Sequence, residues 1–112
     1  MVCVGLLDNR PGVGVSSIMK ARLLLKERHQ LRSDAFVELR IWLAPEPVGG
    51  SVHRYKYALA YVVAGECVLR YDNEAGKGDH RHVGDVETDY RFTTPDRLLA
   101  DFWRDVDQWR PG

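Results

Sequence analysis

The sequence predicts an α+β domain: an antiparallel β-sheet of about four to five strands, with a C-terminal amphipathic helix packed on one face. Three observations predict it. Residues 35–43 and 54–63 alternate apolar and polar side chains, the period of half-buried strands. A tight turn at Ala64-Gly65-Glu66 joins the second of these to a further apolar segment, making an antiparallel pair. Residues 95–109 carry apolar side chains at helical spacing.

The elements follow in order. Residues 1–18 contain Pro11 and three glycines with no clear period, and read as an N-terminal arm or as sequence upstream of a natural start at Met19. A phosphate loop at Gly12-Val13-Gly14-Val15-Ser16-Ser17 lacks the Gly-Lys-[Ser/Thr] ending that such loops need. The single domain then spans residues 19–112. Residues 20–31 fit a strand or a short helix; a hairpin turn at Arg32-Ser33-Asp34 favours the strand. In residues 35–43, Val37, Leu39, Ile41 and Leu43 share one side, and Glu38 and Arg40 the other. The prolines and glycines of residues 44–50 stop this strand. Tyr55, Tyr57, Leu59, Tyr61 and Val63 share a face of the next, and residues 67–71 return beside it. After a polar loop over 72–82, Val83, Val86 and Tyr90 mark one more strand within 82–92.

The helix has a clear start. Thr94 is a good N-cap, Pro95 suits the first helical position, and Asp96 favours the positive end of the helix dipole. Leu98, Leu99, Phe102, Trp103, Val106 and Trp109 form the apolar stripe, with Asp101, Arg104, Asp105 and Asp107 expected on the solvated face.

Composition narrows the function classes. A chain of 112 residues holds one core. The 16 Lys and Arg balance the 16 Asp and Glu, so any nucleic-acid contact must come from a local patch. Two cysteines, Cys3 and Cys67, are too few for a disulfide framework; Cys67 is expected as a free thiol in a reducing cytoplasm. No apolar run approaches the ~20 residues that span a bilayer.

Chemistry concentrates in one segment. His80 and His82 flank Arg81, Lys77 lies just before, and Gly76 and Gly78 let the backbone approach a ligand. RNA cleavage needs a base for the 2′-hydroxyl, an acid for the leaving 5′-oxygen and cations for the phosphate. Histidine suits both proton roles, and Arg81 and Lys77 suit the phosphate. An extended His80-Arg81-His82 would send both imidazoles to one side and Arg81 to the other; a turn would let all three converge. Two rival readings are a divalent metal at His80 and His82, completed by an acid such as Asp72, and a plain polar loop.

The run Tyr71-Asp72-Asn73-Glu74-x-Gly76-Lys77-Gly78-x-His80-Arg81-His82 resembles the signature of the TumE-like toxins, the toxin half of a toxin–antitoxin pair. The Val-Glu-Leu-Arg-Ile-Trp strand at 37–42 and the Lys-Tyr-x-Leu-x-Tyr strand at 56–61 are similar too, so the resemblance covers about residues 19–110. It implies a growth-inhibiting toxin neutralised by a helix-turn-helix antitoxin encoded beside it. An endoribonuclease is the activity expected of such a toxin. The candidate catalytic residues are His80, His82 and Asp72; the candidate substrate-binding residues are Lys77, Arg81, Asn73 and Arg70. No cofactor is expected in the leading reading, and a homo-oligomer is a further candidate assembly. The alternatives are a non-catalytic RNA- or protein-binding module and a metal-dependent phosphodiesterase using the His80-x-His82 pair.

Other residues carry blander expectations. His29 and His53 read as isolated surface histidines, with the option that His53-Arg54 lies near the 72–82 loop; Trp103 reads as core, and Tyr55, Tyr57 and Tyr61 as core or interface. The run Lys20, Arg22, Lys26, Arg28, Arg32 fits either an RNA flank or a charged edge that discourages strand pairing.

Overall fold

The computed structural model describes residues 21–73 and 78–111; Cys3, Met19 and Lys77 therefore lie outside the described residues. Among the described residues, six strands form one antiparallel sheet in chain order: β1 (Arg22–Arg32), β2 (Ala35–Leu43), β3 (Tyr55–Val63), β4 (Glu66–Asp72), β5 (His80–Val83) and β6 (Val86–Asp89). The helix α1 (Pro95–Gln108) follows. Six strands replace the expected four to five because residues 80–89 form a hairpin around Gly84-Asp85, not one strand.

Alternation makes the sheet two-faced. Val37, Leu39 and Ile41 of β2, Tyr57, Leu59 and Tyr61 of β3, and Leu69 and Tyr71 of β4 form the core with Leu98, Phe102 and Val106 of α1. Burying an apolar side chain of this size is worth about 1.5–3 kcal/mol. The opposite face carries a smaller apolar cluster of Ala58, Ala60, Val62 and Cys67, with Phe36 against it. Cys67 is disulfide-bonded, which corrects the free-thiol expectation: a side chain can pack as a small hydrophobe and still be oxidised.

The termini of the elements follow local chemistry. Thr94 Oγ1 accepts the Arg97 N–H at 3.1 Å, and Pro95 opens the helix as expected. The β3–β4 turn places Ala64 at φ 52° and Gly65 at φ 78°, the left-handed pair of a type I′ hairpin. The segment 44–54 folds back on itself: Ala44 N–H donates to Arg54 O at 2.7 Å, and Val48 N–H to His53 O at 3.0 Å.

One part of the helix departs from expectation. Asp101 and Asp105 do not belong to a solvated acidic face. Asp101 is 7% exposed, and the Asp105 side chain is 11% exposed. The physical reason is demand for acceptors: Tyr90 Oη donates to Asp101 at 2.6 Å, and Tyr71 Oη to Asp105 at 2.5 Å. Strands β1 and β6 are the sheet's exposed edges. Among the described residues, no helix is long and apolar enough to cross a membrane.

Candidate functional site

The β4–β5 pairing decides how the chemistry-bearing segment is presented. Asp72 lies opposite His80, Tyr71 opposite Arg81, and Arg70 opposite His82. Residues 80–82 are extended, so the two histidines share one face with Arg70 and Asp72, and Arg81 takes the other.

Following the register across the sheet gives two rows on the face away from the helix. One runs Lys26, Arg40, Ala58, Asp72, His80, Asp89; the next runs Arg28, Glu38, Ala60, Arg70, His82, Glu87. Ion pairs link neighbours within and between rows. Arg28 Nη1 lies 3.2 Å from Glu38 Oε2, Arg40 Nη2 3.5 Å from Glu38 Oε1, and Arg70 pairs with Asp72. His80 Nδ1 lies 3.0 Å from Glu87 Oε2 and 3.9 Å from Asp89 Oδ1. The two alanines in the middle, Ala58 and Ala60, are buried. Carboxylates and cations are thus held at short range on a firm sheet, with two imidazoles at one end.

Arg81 is used differently. Its Nε donates to Asp105 Oδ2 at 2.7 Å and to Tyr71 Oη at 3.2 Å. The hydrogen bond to Asp105 raises the guanidinium pKa above its already high value. Burial first, then the hydrogen bond to Asp105, pushes the Tyr71 phenol up as well. Arg81 therefore ties β5 to the helix. Asn73 is fully buried, and its side chain serves backbone: Oδ1 accepts Tyr57 N–H at 3.0 Å, and Nδ2 donates to Tyr55 O at 2.8 Å. It extends the β3 ladder past the end of β4. The structure thus brings His80, His82, Asp72 and Arg70 together and separates Arg81 and Asn73 from them.

The family model described as Toxin TumE matches residues 14–110, which takes in all six strands and the helix. The chain belongs to the TumE toxin family. A toxin role follows, and the family implies an antitoxin partner. No curated protein and no solved structure matches the chain. The TumE match begins inside the stretch read from sequence as an N-terminal arm.

This TumE toxin also holds a cluster that the sequence did not reveal. Asp79, next to His80, accepts three hydrogen bonds: from Ser51 Oγ at 2.5 Å, His53 Nε2 at 2.7 Å and Tyr57 Oη at 2.7 Å. His53 Nδ1 accepts Tyr55 N–H at 3.1 Å, so both ring nitrogens are engaged, Nε2 as the donor to Asp79. The ring stacks on Phe92, with centroids 3.9 Å apart. His53 is thus a tied-down side chain with 14% exposure, not the surface histidine expected. The alternative of His53 near the 72–82 loop agrees with this contact, while the specific partner, 26 positions away, had no local signal. His29 does lie at the surface, 2.7 Å from Glu27. Gly78 completes the arrangement. At φ +93°, a Cβ there would lie 2.8 Å from Gly50 O, so only glycine lets the two loops touch. Among the described residues, no group of three His, Cys, Asp or Glu side chains is placed to share a metal ion.

Proposed function

We propose that this TumE toxin is an endoribonuclease whose acid–base pair is His80 and His82, working on the sheet face opposite the helix. The observation that carries the reading is the register that sets both imidazoles on one face beside Arg70 and Asp72. A carboxylate beside Nδ1 of His80 favours the tautomer with the lone pair on Nε2, the form that takes a proton from a 2′-hydroxyl. His82, two residues on, supplies the proton to the leaving 5′-oxygen. Asp72 orients Arg70, which holds the phosphate with Lys77. Arg81 acts on the site indirectly: it braces β5 through Asp105 and is a positioning residue.

The test is induction of the full chain in cells, beside H80A, H82A and R70A, with total RNA examined at early times. Growth arrest with RNA fragments, lost by at least a hundredfold in both histidine variants, is the expected result, as removing one proton-transfer group typically costs about 10²–10⁴. Arrest without fragments, or with fragments retained in H80A and H82A, would overturn the catalytic assignment. Adding a chelator to the purified toxin separates this mechanism from a metal-dependent one, which would stop.

A further inference from the structure

A cavity of about 350 Å³ opens at the end of the sheet, between the 49–53 loop and the 89–92 segment. Its size falls at the lower end of the range for small-ligand pockets. One wall is the fixed unit of His53, Asp79 and Phe92. The rim includes Asp89, whose carboxylate also stands 3.9 Å from His80 Nδ1, and the exposed Arg91. The cavity therefore shares Asp89 with the proposed catalytic end of the sheet.

The charges select what can enter. Asp79 and Asp89 bring two carboxylates to the lining, and Arg91 is the one Arg or Lys among the described lining residues. A phosphate would be repelled from the interior and is welcome only at Arg91. A planar base fits the interior better. Asp79 already accepts three hydrogen bonds, whereas the Asp89 side chain is fully exposed and offers acceptor oxygens. An acceptor at that place favours a base carrying an exocyclic amine, as carboxylates do with the cytosine amino group. Uracil offers carbonyl oxygens there instead.

We propose that this cavity is a base-selective subsite that takes one amino-bearing base of an RNA strand, adenine or cytosine over uracil, with Asp89 reading the amine and Arg91 holding the adjoining phosphate. The inference rests on the RNA reading of the histidine face and adds a sequence preference to it.

The experiment uses purified full-length chain and short fluorescent 2′-O-methyl oligonucleotides of adenine, cytosine or uracil, which lack the 2′-hydroxyl and cannot be cut. Binding is measured by anisotropy for the wild type, D89A and R91A, each first shown to melt like the wild type. The expected result is about tenfold tighter binding of the adenine and cytosine strands than of the uracil strand. D89A should abolish that preference. R91A should weaken all three strands alike and flatten the salt dependence while leaving the preference intact. Equal binding of the three strands, a preference that survives in D89A, or no binding at all would overturn the subsite. The readout needs no cleavage, so a preference seen without RNA fragments in cells would sink the nuclease mechanism and leave the subsite standing.

Discussion

At the scale of single residues, the same side-chain types serve opposite ends in this chain. Asn73 and Arg81 lie within the segment richest in chemistry, yet one replaces a backbone pair and the other anchors a strand to a helix. The distinction is testable. Asn73→Ala leaves the buried Tyr57 N–H and the part-buried Tyr55 carbonyl without their partner, which should cost about 2–4 kcal/mol. Urea unfolding should show that loss as a lower midpoint with unchanged slope. A variant as stable as the wild type would show that Asn73 is not a structural clamp and return it to the list of substrate contacts. Asp79 teaches the same lesson from the other side: its neighbour His80 faces the proposed site, while Asp79 itself holds three donors in place.

At the scale of elements, hairpin turns set which side chains face which way. The β3–β4 turn needs two residues at positive φ, and Ala64 at 52° is the strained one. A64G should therefore raise stability, by about 0.5–1 kcal/mol, and thermal melting would report it. A destabilised A64G would mean that the Ala64 conformation carries no penalty in this turn. The β4–β5 pairing has the larger functional effect. A shift of one residue there would send His80 and His82 under the helix and Arg81 to the other face. Arg81 works against that slip, because its guanidinium finds Asp105 only in the observed register. The acidic side chains of α1 make the same point. Asp101 and Asp105 look solvated on a helical wheel, and become acceptors once Tyr90 and Arg81 approach.

At the scale of the molecule, buried phenols and carboxylates bound the pH range of the fold. Burial, then hydrogen bonds to Asp79, Asp105 and Asp101, raises Tyr57, Tyr71 and Tyr90 above their ordinary value of 10. Groups raised in the folded state stabilise it fully below the unfolded value and lose that contribution as pH rises past it. Stability should thus fall above about pH 10. Asp101 shifts the other way. Burial would raise it, but hydrogen bonds from Tyr90 and Arg97 with the nearby Arg104 charge hold it below the ordinary carboxylate value. A lowered carboxylate stabilises above its unfolded value, and that stability is lost as pH falls below about 4. Circular dichroism melts from pH 3 to 11 should trace a plateau with both shoulders. Y90F should soften the alkaline shoulder and D101N the acid one; shoulders unmoved in these variants would assign the pH limits to other groups.

By itself the sequence determined the two-faced strands, the capped helix and the segment that carries the histidines, because periodicity and end-capping are local properties of the chain. Its motif also pointed to the TumE-like toxins, and the family match bears that out. The extra strand was only partly legible, since four residues a side is too short for a clear alternation. What only the tertiary structure decided was partnership. Which face Arg81 takes, what Asn73 holds, why Asp101 is buried and Asp105 half-buried, and that His53 meets Asp79 all depend on residues distant in sequence brought together by the sheet. Hydrogen bonds and ion pairs act over a few ångströms of space, and their range along the chain is set by the fold alone.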